Sequence, residues 1–474
     1  MQNASQLILM YTDSLFERYG ESLAIISDDD STTTYSELHR FAQKRSKELV
    51  PRSVVLLLCD NVAESVALYV SCIYNRVVPI LLDAATDIEL IRNLCTIYSP
   101  RYIISPRSKN GFSGRTRYDG SSYVILEVGS GMNAQPHSDL AQLFTTSGST
   151  GSPKLVRVSY RNIASNAASI AEYLKIRESD RPVTSLPMHY SYGLSVINSH
   201  LLTGATLLLT NKSLVSRGFW NFVKQQKATS IAGVPYTYEV MDRIRFTQLS
   251  LPHLTTMTQA GGKLNETLTR KFAEFCATNG KKYFTMYGQA EATARMSYLP
   301  CEHALLKVGS IGRAIPGGEL SLVDEHRKPI TTSDTVGELV YKGDNVSIGY
   351  AECCEDLISS DLNNGILYTG DMARFDTDGF FYIVGRNKRF IKIFGNRVGL
   401  DETENLIRQH GWECACVGHD DLMVVYVTSE RDVEAVRSFL DKKTQINKHA
   451  LQIRIVSVIP RNTSGKTAYS QLPV

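Results

Sequence analysis

Residues 143–154 could bind phosphate. Leu143 and Phe144 form an apolar approach to Thr145, Thr146, Ser147, Gly148, Ser149, Thr150, Gly151 and Ser152, closed by Pro153 and Lys154. Glycines let backbone come close to a ligand, and hydroxyls and backbone N–H groups donate to phosphate oxygens. Lys154 adds a point charge able to follow a phosphate tail. A flexible linker shares this composition. The strand-like approach and the terminal Pro and Lys favour the phosphate cradle. A Walker loop is excluded by spelling, since GxxxxGK[ST] does not occur. Gly262 and Lys263 are followed by Leu264, and Gly465, Lys466 and Thr467 lack the upstream glycine.

The loop resembles the signature of the adenylate-forming superfamily, which includes acyl-CoA synthetases, nonribosomal peptide adenylation domains and luciferases. Further motifs follow in that family's order over nearly the whole chain. Tyr287, Gly288, Gln289, Ala290 and Glu291 are similar to YGxTE, with Ala290 in the threonine position. The resemblance implies that Tyr287 stacks on adenine and Glu291 helps hold Mg²⁺, together with Thr146 of the loop. An aromatic face and a hard carboxylate oxygen suit those tasks. Gly261, Gly262 and Lys263 resemble the segment lining adenine and the acyl pocket, with Lys263 in place of a proline. Thr369, Gly370 and Asp371 match the TGD motif, whose aspartate accepts from both ribose hydroxyls. Gly385, Arg386, Asn387 and Lys388 resemble GRxK, which implies a ribose contact for Arg386 and a hinge at Lys388. Lys392 and residues 395–398 resemble the loop facing the site during thioester formation. Pro460, Arg461, Gly465 and Lys466 fit PRxxxGK, and Lys466 is the expected adenylation lysine, bridging carboxylate and α-phosphate.

The resemblance implies two half-reactions: a carboxylate attacks ATP to give acyl-AMP and pyrophosphate, then a thiol displaces AMP. ATP and Mg²⁺ are the expected cofactors, and CoA or the phosphopantetheine of a carrier protein the expected acceptor. The acyl pocket is expected to draw on His189, Tyr190, Tyr192, Gly193, Tyr236 and Gly261. Amino-acid-activating relatives usually carry an Asp in the first of these segments. Residues 187–196 hold no acid, which argues for a substrate without an α-amino group. An amine acceptor and a catalytically impaired nucleotide-binding relative are the rival readings.

The elements that must position these residues follow a strand–helix rhythm. Apolar runs at 53–59, 77–82 and 102–105 read as buried strands, with helices after Asp60 and Asn61 as a cap and over 87–98. Residues 106–139 read as a surface connection around one strand at 123–128. Helices near 161–174 and 216–227 flank a strand near 206–209. Short alternating strands at 319–324, 337–342 and 380–384 suggest a β-rich subdomain. The expected fold class is α/β: an N-terminal domain, 1–387, of two mostly parallel α/β sheets plus a β-rich subdomain at about 308–385. A small mobile α+β domain, 388–474, would follow the hinge.

At 474 residues the chain has room for one large and one or two smaller domains. Its net charge of +3, without a long run of one sign, gives no nucleic-acid or membrane surface. No segment approaches the ~18 apolar residues of a membrane span, and residues 1–20 do not read as a signal peptide. Nine scattered cysteines match no zinc pattern and read as free thiols of a reducing cytoplasm.

Overall fold

A computed structural model describes residues 10–109, 111–145, 154–386, 389–393, 396–419, 421–443, 450–462 and 465–474. Two large sheets, three layers of helices, a smaller antiparallel sheet and a C-terminal α+β unit make up the described residues.

The first large sheet is built on Val54–Cys59, Val78–Asp83 and Tyr102–Pro106. All six residues of Val54–Cys59 are buried, because both faces of this sheet are covered, so its central strands are continuously apolar rather than alternating. Val55, Leu57 and Cys59 face a core shared with helices Ala63–Tyr74, Tyr160–Leu174 and Ser191–Leu202. Val54, Leu56 and Leu58 face helix Ile88–Tyr98 on the other side. The second large sheet, centred on Pro182–Val183, Leu207–Leu209, Ser230–Gly233, Thr256–Gln259 and Lys282–Tyr287, closes the far side of the shared helices. Helices Arg217–Gln225 and Glu266–Thr278 cover its outer face. In each sheet a parallel centre ends in antiparallel edge strands.

Two local readings change. Asp60 and Asn61 do not cap the first of the shared helices. Its N-cap is Val62, without a side-chain bond. Asn61 instead spans the core, receiving Met188 N–H at 3.1 Å and donating to the Leu186 carbonyl at 3.0 Å. The connection at 106–139 contains a second strand, Arg115–Asp119, which pairs antiparallel with Tyr123–Glu127 at the sheet edge. Its polar residues are largely exposed, so no buried alternation marks it. The Cys residues are all free.

The antiparallel sheet comprises Gly318–Val323, Pro329–Ile330, Gly337–Gly343, Ile366–Phe375 and Phe381–Arg386. It is tied to the shared helices by a cap. Ser159 and Asn162 form a reciprocal capping box at the start of Tyr160–Leu174. The Asn162 amide then donates to the carbonyls of Asp344 and Val346, both at 2.7 Å. Past Arg386, a ribbon of Phe390–Ile393 and Asn396–Gly399 and a sheet of Cys414–His419, Leu422–Val427 and Leu451–Ile455 pack with helices Leu400–Arg408 and Glu430–Lys443. No helix among the described residues is long and apolar enough to cross a membrane.

His200 is buried in helix Ser191–Leu202, where its Nδ1 donates to the Val196 carbonyl at 2.8 Å. Burial lowers its pKa to about 4, against ~6.5 for an unfolded histidine. Between those values the unfolded chain binds the proton and the folded chain does not, so stability is lost as pH falls from ~6.5 to ~4. Denaturant unfolding at pH 7.5, 6 and 4.5 should therefore show a steeper acid loss in the native chain than in His200→Gln, by up to ~3 kcal/mol.

Candidate active site

The nucleotide-binding candidates converge from three segments. Tyr287 ends strand Lys282–Tyr287, and its hydroxyl donates to the Asp371 carboxylate. Gln289 Nε2 donates to the same carboxylate oxygen at 2.9 Å and to the Thr369 carbonyl at 3.1 Å. Asp371 is buried, and its own N–H donates to Thr369 Oγ1 at 3.1 Å. Gly370 between them has φ +70°, where the pairing register of strand Ile366–Phe375 shifts, a conformation that glycine adopts without strain. Arg386 is the cross-strand partner of Asp371, so the two motifs lie side by side although fifteen positions apart. The side chains of Arg386 and Lys392 are outside the description, as are Thr146, Ser147, Gly148, Ser149, Thr150 and Lys388 altogether.

The residues on either side of 146–153 are described. Thr145 ends strand Leu140–Thr145. Lys154 Nζ lies 3.2 Å from Glu352 and 4.1 Å from the ring centroid of Tyr350. The Tyr350 hydroxyl donates to Glu291 Oε1 at 2.9 Å, and burial, with the Glu291 carboxylate adding to it, raises the Tyr350 pKa. Lys154 and Glu291, 137 positions apart in the chain, are thus joined through Tyr350. Neither Tyr350 nor Glu352 carries a motif, so sequence reading had no signal for them.

A compact turn holds Glu291. Gly288 packs so closely on the Ala294 carbonyl that a Cβ would lie 1.7 Å from its oxygen. Asn345 clamps the turn, donating to the carbonyls of Ala292 and Arg295 at 2.8 and 3.0 Å. Thr293 points into this clamp, its hydroxyl donating to the Asn345 carbonyl at 2.7 Å. It therefore does not stand in for the hydroxyl missing at Ala290.

Of the acyl-pocket candidates, Tyr190, Tyr192, Gly193 and Gly261 come together. Tyr190 and Tyr192 make an edge contact at 6.4 Å, and Tyr192 shares a 2.8 Å hydrogen bond with Thr258 Oγ1. Gly261, at φ +82°, passes so near the Tyr190 hydroxyl that a Cβ would be 2.6 Å away. Gly193 lies against the Pro187 carbonyl, 2.2 Å from where a Cβ would stand. Gly262 accepts Gln259 Nε2 at 2.8 Å on its carbonyl, and Lys263 is exposed on the same turn.

His189 and Tyr236 have other partners. His189 Nε2 is 3.7 Å from Asp83, its Nδ1 has no hydrogen-bond partner, and burial lowers its pKa despite that carboxylate. Tyr236 is 44% exposed, with the guanidinium carbons of Arg243 and Arg461 each 5.7 Å from its ring.

The C-terminal motif reaches the same region. Arg461 lies 3.5 Å from Glu239 and 3.3 Å from Glu413. Asn462 N–H donates to the Lys466 carbonyl and Gly465 N–H to the Asn462 carbonyl, both at 2.8 Å. Lys466 N–H returns to Asn462 Oδ1 at 2.9 Å. Lys466 Nζ stands 5.9 Å from the Tyr190 ring centroid. A cationic group thus meets the tyrosine pair, while Lys154, Tyr350 and Glu291 form one cluster and Tyr287, Gln289 and Asp371 another.

Mg²⁺ fits this donor set. Among the described residues no three His, Cys, Asp or Glu side chains form a metal cage. Mg²⁺ at phosphates needs only one or two protein carboxylates, and Glu291 next to Lys154 offers one.

The AMP-binding enzyme family matches residues 13–351, and the chain belongs to it. It activates a carboxylic acid with ATP as acyl-AMP and passes the acyl group to a thiol. The chain is 26% identical to an oxalate–CoA ligase of Arabidopsis thaliana, over 96% of this chain and 95% of that one. It is also 26% identical to a 2-succinylbenzoate–CoA ligase of Oceanobacillus iheyensis, over 94% of each. The o-succinylbenzoate CoA synthetase of Bacillus subtilis, solved with the acyl-adenylate OSB-AMP, shares the fold over 98% of each chain. There the TM-score is 0.79 and the identity 21%.

Proposed function

We infer that the acceptor is CoA, that the acid lacks an α-amino group, and that the enzyme works in the cytoplasm. The observation that carries the site reading is Lys466 Nζ over Tyr190, 5.9 Å from the ring centroid. It brings the C-terminal lysine to the acyl wall. The CoA ligases among its relatives support CoA over a carrier protein or an amine.

In the adenylation step, the acyl group lies along Tyr190, Tyr192 and Gly261, with its carboxylate towards Lys466. Lys466 neutralises the carboxylate and the α-phosphate as the pentavalent phosphorus forms. Positioning accounts for most of the gain, because a carboxylate is a weak nucleophile needing no base. Asp371, with Arg386, holds the ribose, and Tyr287 faces adenine. Lys154 and residues 145–150 hold the departing pyrophosphate. Glu291, with Thr146, would hold Mg²⁺, which would supply positive charge to the phosphate oxygens. For the second step, the domain from 388 onward turns about Lys388. Lys466 then leaves, and the ribbon carrying Lys392 faces the adenylate as the thiol displaces AMP.

A carboxylic-acid panel with ATP and Mg²⁺, read by hydroxylamine trapping and nucleotide analysis, tests this reading. AMP and pyrophosphate are expected, and ADP would overturn it. Adding CoA, a phosphopantetheinylated carrier protein or an amine to the trapped adenylate decides the acceptor. Asp371→Asn should raise the KM for ATP about 10- to 100-fold, the value of hydrogen bonds to a charged group. It should also erase the native preference for ATP over 2′-deoxy-ATP. An unchanged preference would remove Asp371 from the ribose.

A further inference from the structure

Strand Ser230–Gly233 runs into Val234, the N-cap of helix Pro235–Arg243. Val234 is buried between two glycines. A Cβ on Gly261, the glycine against the Tyr190 hydroxyl, would lie 3.0 Å from Val234 Cγ1. A Cβ on Gly465 would lie 3.0 Å from Val234 Cγ2 and 3.4 Å from Tyr236 Cβ. One valine thus abuts both the turn behind Tyr190 and the residue before Lys466.

The same helix carries an acid towards the C-terminal motif. Glu239 Oε2 lies 3.5 Å from Arg461 Nη2, and Glu413 Oε1 lies 3.3 Å from the same nitrogen. The two acids come from different units. Glu239 is on the helix that follows the second large sheet, whereas Glu413 immediately precedes strand Cys414–His419, in the unit that carries Arg461 itself. Arg461 and Lys466 belong to one turn. Arg461 pairs antiparallel with Thr467, Ala468 N–H donates to the Pro460 carbonyl at 2.8 Å, and Asn462 is bonded to Lys466 in both directions. Holding the Arg461 guanidinium therefore also holds the backbone from which Lys466 reaches Tyr190.

We propose that Glu239 is a positioning residue for adenylation: it holds Arg461, and with it Lys466, at the acyl wall, and lets go when the C-terminal unit turns to admit the thiol. The proposal rests on the two-state lid of the reading above, and it adds a contact that sets the balance between the two states. Glu413 travels with Arg461, so the turn gives up one partner and keeps the other. The side chains of Arg461 and Glu239 are 27% and 36% exposed, and a pair so open to water is weak. A weak contact suits a lid that must be released in every turnover, whereas a buried pair is strongly resistant to the loss of one partner.

The test uses the full chain with ATP and Mg²⁺. The probe acids are the straight-chain monocarboxylates from acetate to octanoate, succinate and benzoate, and the fastest of them is carried forward. Pyrophosphate exchange reads the first step, and thioester formation from the synthetic adenylate and CoA reads the second. Glu239→Gln should lower exchange about three- to five-fold, the scale of one exposed ion pair. It should leave the second step at or above the native rate. Glu239→Asp should fall between the native chain and Glu239→Gln. In an Arg461→Gln background, Glu239→Gln should have no further effect, because the partner is already gone. Raising salt to about 0.5 M should narrow the difference between the native chain and Glu239→Gln. Equal loss of both steps, no loss of exchange, or losses that add to those of Arg461→Gln overturn the proposal. The lid itself then stands if Lys466→Ala separates the two steps, and falls if it does not. No AMP from any acid overturns both the proposal and the ligase reading.

Discussion

Lys466→Ala should lower the rate of acyl-AMP formation about 10³-fold, at the upper end of what one charge-stabilising donor contributes to a transition state. The same variant should convert supplied acyl-AMP and CoA to thioester within a few-fold of the native rate. The asymmetry follows from geometry. Lys466 Nζ stands over Tyr190, on a segment held by Arg461 against Glu239 and by the Asn462 hydrogen bonds. That position is proposed to serve the carboxylate and α-phosphate, and the thioester step to follow its departure. Lys466→Arg should not restore the rate, because a planar fork does not replace a flexible ammonium at one point. Pyrophosphate exchange measures the first step and thioester formation from synthetic acyl-AMP the second. Equal loss of both would refute the alternating lid.

Gly288→Ala should be equally damaging without touching a reacting group. Its Cβ would stand 1.7 Å from the Ala294 oxygen and 2.7 Å from Arg295 Cα. Both are backbone atoms, so no rotamer change relieves the clash. The turn from 288 to 295 must open, and it carries Glu291 at one end and Arg295 at the other. Loss of more than about 4 kcal/mol of stability is expected, in the range reserved for severe steric and strain effects. Any folded fraction should bind ATP weakly, since Tyr287 and Glu291 shift together. Gly280→Ala is the control: φ is +63° with nothing within 4 Å of the added methyl. It should cost only about 1–2 kcal/mol of backbone strain and keep activity. Thermal melting and ATP titration separate the two, and a Gly288→Ala enzyme of native stability would refute the packing argument.

The ordered motifs were legible because each is local. A glycine turn before an aspartate, or an aromatic next to a glycine and an acid, shapes its own few residues and reads off directly. Strand and helix positions were legible for the same reason. Val54–Cys59 is apolar throughout because both its faces are buried. Local reading failed where a side chain answers to a distant partner. Asn61 resembles a helix cap, yet the backbone at Leu186 and Met188 claims its amide. Arg115–Asp119 is a strand because its neighbour offers an edge, not because of any pattern of its own.

By itself, then, the sequence determined the class of chemistry and the family, since the Ser/Thr/Gly loop, the Thr369–Gly370–Asp371 motif and Lys466 keep the family's order along the chain. Only the tertiary structure decided which side chains meet. It joined Lys154 to Glu291 through Tyr350, set His189 beside Asp83 and Arg461 over Tyr236, and placed Arg295 beside Tyr192. The physical reason is that a buried charge is defined by what folding packs around it. The residues around Arg295 come from helices Tyr160–Leu174 and Ser191–Leu202 and strands Thr256–Gln259 and Lys282–Tyr287, which no stretch of sequence brings together.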